Sequence, residues 1–204
     1  SGGVEDRTDA QILQVLTGPH VPRFVAAGDL DVLPYLVMEY VPGKTLDHWL
    51  PQPGEPWTPP DVRDIAALGA AMAEAVHSLH HQDSCHLDLK PANVLVGRFG
   101  ETVVIDWGLA KRIDERAELR EAGASATPSD PRVAELSAAG SVLGTPAYMA
   151  PEQHRGDDTD ARADVYALGA MLDHLLSGAP PYGGGAWMEV LGMVLVGPPA
   201  PLRE

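Results

Sequence analysis

In HLDLKPANVLV, residues 86–96, Asp88, Lys90 and Asn93 stand close together, and Asp106 follows a second β-prone run. NVLV and TVVI, separated by GRFGE, form a hairpin signal. Asn93 stands at its entrance and Asp106 at its exit. Antiparallel pairing is expected to set the two side by side, since paired Cα atoms lie roughly 4.5 to 5.5 Å apart. An amide oxygen and a carboxylate converging on one point suit Mg²⁺, which keeps several waters and takes its remaining ligands from substrate phosphates. Two polar residues capping a hairpin would give the same spacing without any chemistry. Asp88 and Lys90 lie just upstream, in the loop that leads into the first strand.

Helices and strands must position these groups. DAQILQVL has Ile12, Leu13 and Leu16 at helical spacing and stops at Gly18-Pro19. RFVAAGDLDVLPYLVMEYV reads as two strands with a turn at Gly28–Asp31, and PGKTLDHWL as a turn into a short helix. At residues 58–81, Thr58 is the expected N-cap, Pro59 the first helical residue and Asp61 the capping-box acid. Val62, Ile65, Met72, Val76 and Leu79 then make one apolar face. DARADVYALGAMLDHLLSG predicts a second core helix ending at Gly178, and AWMEVLGMVLV a third. Residues 111–141 are polar and predict a loop. The expected fold class is α+β: a mostly helical domain with a small β-hairpin inserted between helices.

Composition narrows the function classes. A chain of 204 residues with 45% hydrophobic content supports one well-buried domain. A formal charge of -15 argues against nucleic acid or an anionic membrane surface as partner, since both need basic patches. One cysteine, Cys85, excludes an internal disulfide and fits a reducing compartment; it reads as a small buried hydrophobe. No run of about 18 apolar residues is present, so no membrane segment is expected. SGGVEDRTDA lacks the features of a signal peptide, so the expected location is cytoplasmic. His77 and His81 stand one helical turn apart, but without a third ligand they read as solvated or core histidines.

The motifs together resemble the protein-kinase family, in its bacterial eukaryotic-like Ser/Thr branch. HLDLKPAN (86–93), DWG (106–108), GTPAYMAPE (144–152) and DVYALG (164–169) occur in the family's order. The resemblance runs from about residue 9 to the end. It implies a kinase-like fold, mostly the helical C-terminal lobe (42–204) with the end of the N-terminal lobe and the hinge (1–41), and an activation segment at 106–152. It further implies that Asp88 accepts or orients the proton of a substrate hydroxyl and that Lys90 neutralises the transferring γ-phosphoryl group. Asn93 and Asp106 would hold the Mg²⁺ that bridges the ATP phosphates, and the partner would be a protein bearing Ser or Thr. Phosphoryl transfer is mainly positioning plus electrostatic stabilisation, so a base, a cation and two metal ligands around one spot form a sensible minimum. Met38 would gate the back of the ATP pocket, with backbone groups of Glu39 and Val41 contacting adenine. His86, Trp107, Gly108, Thr145, Glu152 and Asp164 would be structural or regulatory, Asp164 bracing the catalytic loop or simply starting a helix.

The sequence also departs from the family pattern. Leu87 replaces the arginine that grips an activation-loop phosphate, so activation through that contact is not expected. Ser125, Thr127, Ser129, Ser137 and Ser141 remain loop hydroxyls open to modification. Trp107 replaces phenylalanine, and Asp9 falls where the family has a helix glutamate. Neither G-x-G-x-x-G nor a V-A-x-K lysine is present; the only lysines are Lys44, Lys90 and Lys111. The expectation is therefore a kinase domain incomplete at both ends. The rival readings are a pseudokinase acting as a scaffold, favoured by Leu87, Trp107 and Asp9, and a small-molecule phosphotransferase, echoed by IDWG.

Overall fold

Two antiparallel-packed strands, a hairpin and two long helices place every described residue of the loop 86–93. The computed structural model describes residues 12–30, 33–51, 56–107, 110–112, 146–183, 187–199 and 201. Asp9, Gly108, Thr145 and the five loop hydroxyls between 125 and 141 lie outside the described residues.

Helix α1 (Val62–His80) starts three residues later than a cap at Thr58 requires. Pro60 keeps Pro59 out of the helical region, and Pro59 does the same to Thr58, so the helix begins only beyond both rings. Asp61 becomes the N-cap, its Oδ1 accepting the Arg63 N–H at 2.8 Å. Val62 consequently sits on the exposed first turn, 69% accessible, and leaves the predicted core face. Ile65, Met72, Val76 and Leu79 are buried as expected. Helix α2 (Pro151–Arg155) is short, and α3 (Ala161–Ser177) ends where Gly178 takes a left-handed φ of 76°. α1 packs on α3, and at the crossing Gly69 lets Leu172 approach closely: a Cβ there would lie 3.0 Å from Leu172 Cδ2. Helix α4 (Trp187–Val196) buries Val190 and Val194 beside Ala147 and Tyr182.

Strands β1 (Phe24–Leu30) and β2 (Leu33–Met38) form one antiparallel pair. The predicted turn at Gly28–Asp31 opens too early. Gly28 stays within β1, opposite Tyr35, and Leu30 still pairs with Leu33. The glycine serves a close approach there, since a Cβ would meet Tyr35 Oη at 2.8 Å. Short β3 (Lys44–Thr45) joins the hairpin of β5 (Val94–Val96) and β6 (Thr102–Val104) in a sheet of order β3-β5-β6. The remaining pair is β4 (Ser84–Cys85) with β7 (Lys111–Arg112), which claims the first two residues of the predicted 111–141 loop.

The core joins these elements. Leu13 from the helical turn 12–15 and Leu16 just after it, with Leu46, Met72, Leu79, Val94, Val104, Trp107, Met171 and Leu175, belong to one buried cluster. Each such large side chain contributes about 1.5–3 kcal/mol on leaving water. The hairpin and both long helices are thereby locked to one another, and the loop between β4 and β5 hangs from them.

Candidate active site

The loop begins at His86, whose side chain is fully buried. Its Nδ1 accepts the Asp88 N–H at 3.3 Å, and its Nε2 faces the Ile105 carbonyl at 3.1 Å, as donor in the tautomer that satisfies both. Burial pushes the pKa of this imidazole down, against the pull of nearby Asp164 and Asp88, which favours the neutral ring that this bonding needs. Trp107 packs against it, with ring centroids 4.8 Å apart. Trp107 is 1% exposed, and its Nε1 has no hydrogen-bond partner among the described residues. His86 therefore splints the loop against the exit of β6.

Leu87 adopts a left-handed φ of 63°, a conformation that costs a residue with a Cβ roughly 1–2 kcal/mol. It persists because both backbone poles are held. Asp164, fully buried in the first turn of α3, accepts the Leu87 N–H on Oδ1 at 2.8 Å and the His86 N–H on Oδ2 at 2.9 Å. Gln153 of α2 donates its Nε2–H to the Leu87 carbonyl at 2.8 Å. The Leu87 side chain joins a small buried cluster with Cys85, Ala150 and Ala163. The brace thus runs from two helices onto one strained residue beside Asp88.

Beyond it the chemistry-bearing groups meet. Lys90 Nζ donates to Asp88 Oδ2 at 2.6 Å. Asn93, only 4% exposed, donates from Nδ2 to the Asp88 carbonyl at 2.9 Å and to Asp88 Oδ2 at 3.1 Å. Among the described residues both side-chain ties to the carboxylate fall on Oδ2, which leaves Oδ1 to accept a proton. With its donors directed at Asp88, Asn93 has its amide oxygen to offer a cation. The expected side-by-side placement of Asn93 and Asp106 is off by one residue. Val94 pairs with Val104, and the Ile105 N–H donates to the Asn93 carbonyl at 3.0 Å, so Ile105 stands opposite Asn93. Asp106 is the next residue out, exposed, at a left-handed φ of 65°. The five-residue connection 97–101, closed by Gly97 N–H to Glu101 O at 2.7 Å, sets that register. Asn93 and Asp106 still share one end of the hairpin. Their hard oxygen donors fit Mg²⁺, which bound there would offset charge on phosphate oxygens.

Of the adenine-contacting candidates, Glu39 has its N–H committed to the Arg23 carbonyl at 2.9 Å, so its carbonyl is what it can offer a base. Met38 closes β2 opposite Phe24 and is 37% accessible, more open than a residue sealing the back of a pocket. Val41 is half-buried in the segment that runs into β3. That segment is anchored on the site's own hairpin: Lys44 pairs with Val96, and a Cβ at Gly43 would meet the Val96 carbonyl at 2.8 Å. The helical turn Leu46–Trp49 packs on the turn Pro91–Asn93, tying this segment to the loop 86–93. Glu152, half-buried, lies within electrostatic reach of Arg162 and Tyr166.

Two contributors escaped the sequence reading, Gln153 and His80. His80 Nε2 lies 2.9 Å from Asp164 Oδ2. At the end of α1 it stands four residues after Val76 and eight after Met72, a polar group in line with the buried face, which is the local signal that marks it. The ligating atoms of His80, Cys85 and Asp164 lie within 4.8 Å of one another. Three donors already occupy the Asp164 carboxylate, so this group holds the loop by hydrogen bonds and a cation would have to displace one of them. His77 and His81 are exposed and pack edge to face, with ring centroids 4.2 Å apart.

Comparison with known proteins shows the family. The family model described as protein kinase domain matches residues 5–193. Serine/threonine-protein kinase PknB of Mycobacterium tuberculosis is 34% identical over 188 residues, covering 90% of this chain and 27% of the relative. The Mycobacterium leprae protein of the same name is 32% identical over the same length, with the same coverage. That of Mycolicibacterium smegmatis is 33% identical over 180 residues, covering 86% of this chain and 26% of the relative. The chain thus spans about a quarter of the length of the curated relatives it matches.

Proposed function

The chain belongs to the protein kinase domain family, and from that premise we propose that it carries the catalytic core of a Ser/Thr protein kinase. The reading rests above all on one observation: Asp88, Lys90 and Asn93 are bonded together on a loop whose backbone Asp164, His86 and Gln153 all hold. Residues 1–41 read as the end of an N-terminal lobe with its hinge, and 42–204 as the C-terminal lobe.

In the proposed reaction, the hydroxyl oxygen of a substrate Ser or Thr attacks the γ-phosphorus of ATP, the bond to the β-phosphate oxygen breaks, and ADP leaves. Asp88 Oδ1 accepts the hydroxyl proton as the new bond forms. Lys90, held by Asp88 Oδ2, offsets charge on the transferring group. Asn93 and Asp106 hold Mg²⁺, and the Glu39 carbonyl with the Val41 backbone contacts adenine. Preorganisation is the protein's contribution: displacing the base by about 1 Å would cost on the order of 100-fold in rate.

The test is phosphate transfer from Mg²⁺-ATP to protein Ser and Thr, with Asp88→Asn alongside. Transfer by wild type that falls by a factor of at least about 100 in the variant supports the reading. Absence of transfer by the protein, or equal rates in both, overturns it; the former would leave a scaffold as the better account.

A further inference from the structure

The segment 146–153 and the catalytic loop face one another across a cleft lined by Asp88, Lys90, Tyr148, Met149 and Gln153. The Gln153 amide spans it. Its Oε1 accepts the Ala150 N–H at 3.0 Å, fixing the amide on its own segment, while its Nε2 donates to the Leu87 carbonyl at 2.8 Å. This head must accept on one side and donate on the other. A carboxylate could not donate, and an ammonium could not accept. Residue 87 itself brings no charge to the contact, because its side chain is aliphatic and buried among Cys85, Ala150 and Ala163.

Leu87 is also where the loop is most readily lost. Its φ of 63° is unfavourable for a side chain of that kind, so the peptide on its C-terminal side stays oriented only while its carbonyl is held. That peptide leads directly into Asp88. Asp164 holds the N–H pole from α3. Gln153 holds the carbonyl pole and travels with that segment.

We infer that Gln153 is a positioning residue through which docking of segment 146–153 sets the catalytic loop, a neutral amide latch acting where no cation stands at residue 87. The inference deepens the kinase reading and rests on it for its catalytic consequence. Docked, the latch aligns Asp88; undocked, Leu87 relaxes toward ordinary backbone angles and Asp88 loses its orientation.

The test uses the protein with Gln153→Met, which keeps length and removes both bonds, and Gln153→Glu, which keeps the acceptor and removes the donor. Asp88→Asn serves as reference. Hydrogen exchange over residues 84–90 is read together with kcat, KM for ATP and the melting temperature. The expected result is exchange about tenfold faster in both variants, with kcat lowered about tenfold and KM for ATP within about twofold of wild type. A role confined to capping α2 would instead lower the melting temperature and leave kcat per folded molecule and the exchange at 84–90 unchanged. Wild-type exchange in both variants overturns the latch whether or not the protein transfers phosphate. Faster exchange with unchanged kcat in an active enzyme overturns the positioning role. If wild type and Asp88→Asn are both inactive, the kinase reading fails, and the exchange alone decides whether the latch exists.

Discussion

Asp164→Asn isolates the carboxylate brace on the loop 86–93, because it preserves volume and changes only what the side chain can accept. Asp164 is fully buried, and its two oxygens take hydrogen bonds from the His86 and Leu87 backbone and lie against His80 Nε2, at 2.8 to 2.9 Å. An asparagine has one oxygen. However the amide is turned, its NH₂ faces either the His86 N–H or the Leu87 N–H, and that backbone donor is left buried without a partner, costing about 1–3 kcal/mol. The surviving bond also loses its charge assistance, about another 1 kcal/mol. The expected loss is therefore about 2–4 kcal/mol, a large part of the roughly 5–15 kcal/mol that stabilises a domain. Asp160→Asn, one turn away, is the matched control. It is the N-cap of α3, accepting the Arg162 N–H at 2.9 Å, and asparagine caps about as well. Its ion pair with Arg162 is exposed and worth little. Urea denaturation measures both, read as a shift in midpoint at constant slope. Equal losses in the two variants, to within about 0.5 kcal/mol, would refute the brace.

Two further outcomes follow from backbone geometry and from burial. Gly156 and Gly178 both hold left-handed φ values, 70° and 76°, but a Cβ at Gly156 meets nothing, whereas one at Gly178 would collide with the Trp57 ring. Gly156→Ala should cost about 1 kcal/mol and Gly178→Ala about 2–4 kcal/mol in urea denaturation; equal costs would show that Trp57 moves aside freely. Burial pushes the pKa values of His86, His154 and His174 below the ordinary histidine value of 6.5. In the window between the folded and unfolded values the unfolded chain binds more protons, so stability is full above about pH 6.5 and lost as pH falls below it. The melting temperature should therefore drop between about pH 7 and pH 5.5, before most carboxylates titrate, and a flat profile would contradict the burial of these rings.

The sequence by itself singled out the candidate chemistry-bearing set and determined the elements around it. Asp88, Lys90, Asn93 and Asp106 were legible because residue type and order carry motif information, and the hairpin and long helices because β-prone runs and helical periodicity are local. Gly178 was legible as a helix stop for the same reason. What depends on distance along the chain was not. His80 and Gln153 act on residues 84 and 66 positions away, and nothing local to either predicts its partner. Whether Asp164 merely starts a helix or braces the loop was open until α3 was seen packed on α1. The hairpin register follows from the connection 97–101 that the sequence already marks: counting out from it sets Ile105 opposite Asn93 and leaves Asp106 one residue beyond. The Leu87 backbone shows the division most plainly. Its left-handed conformation opposes its own local preference, and only bonds arriving from two separate helices make it the lower-energy choice.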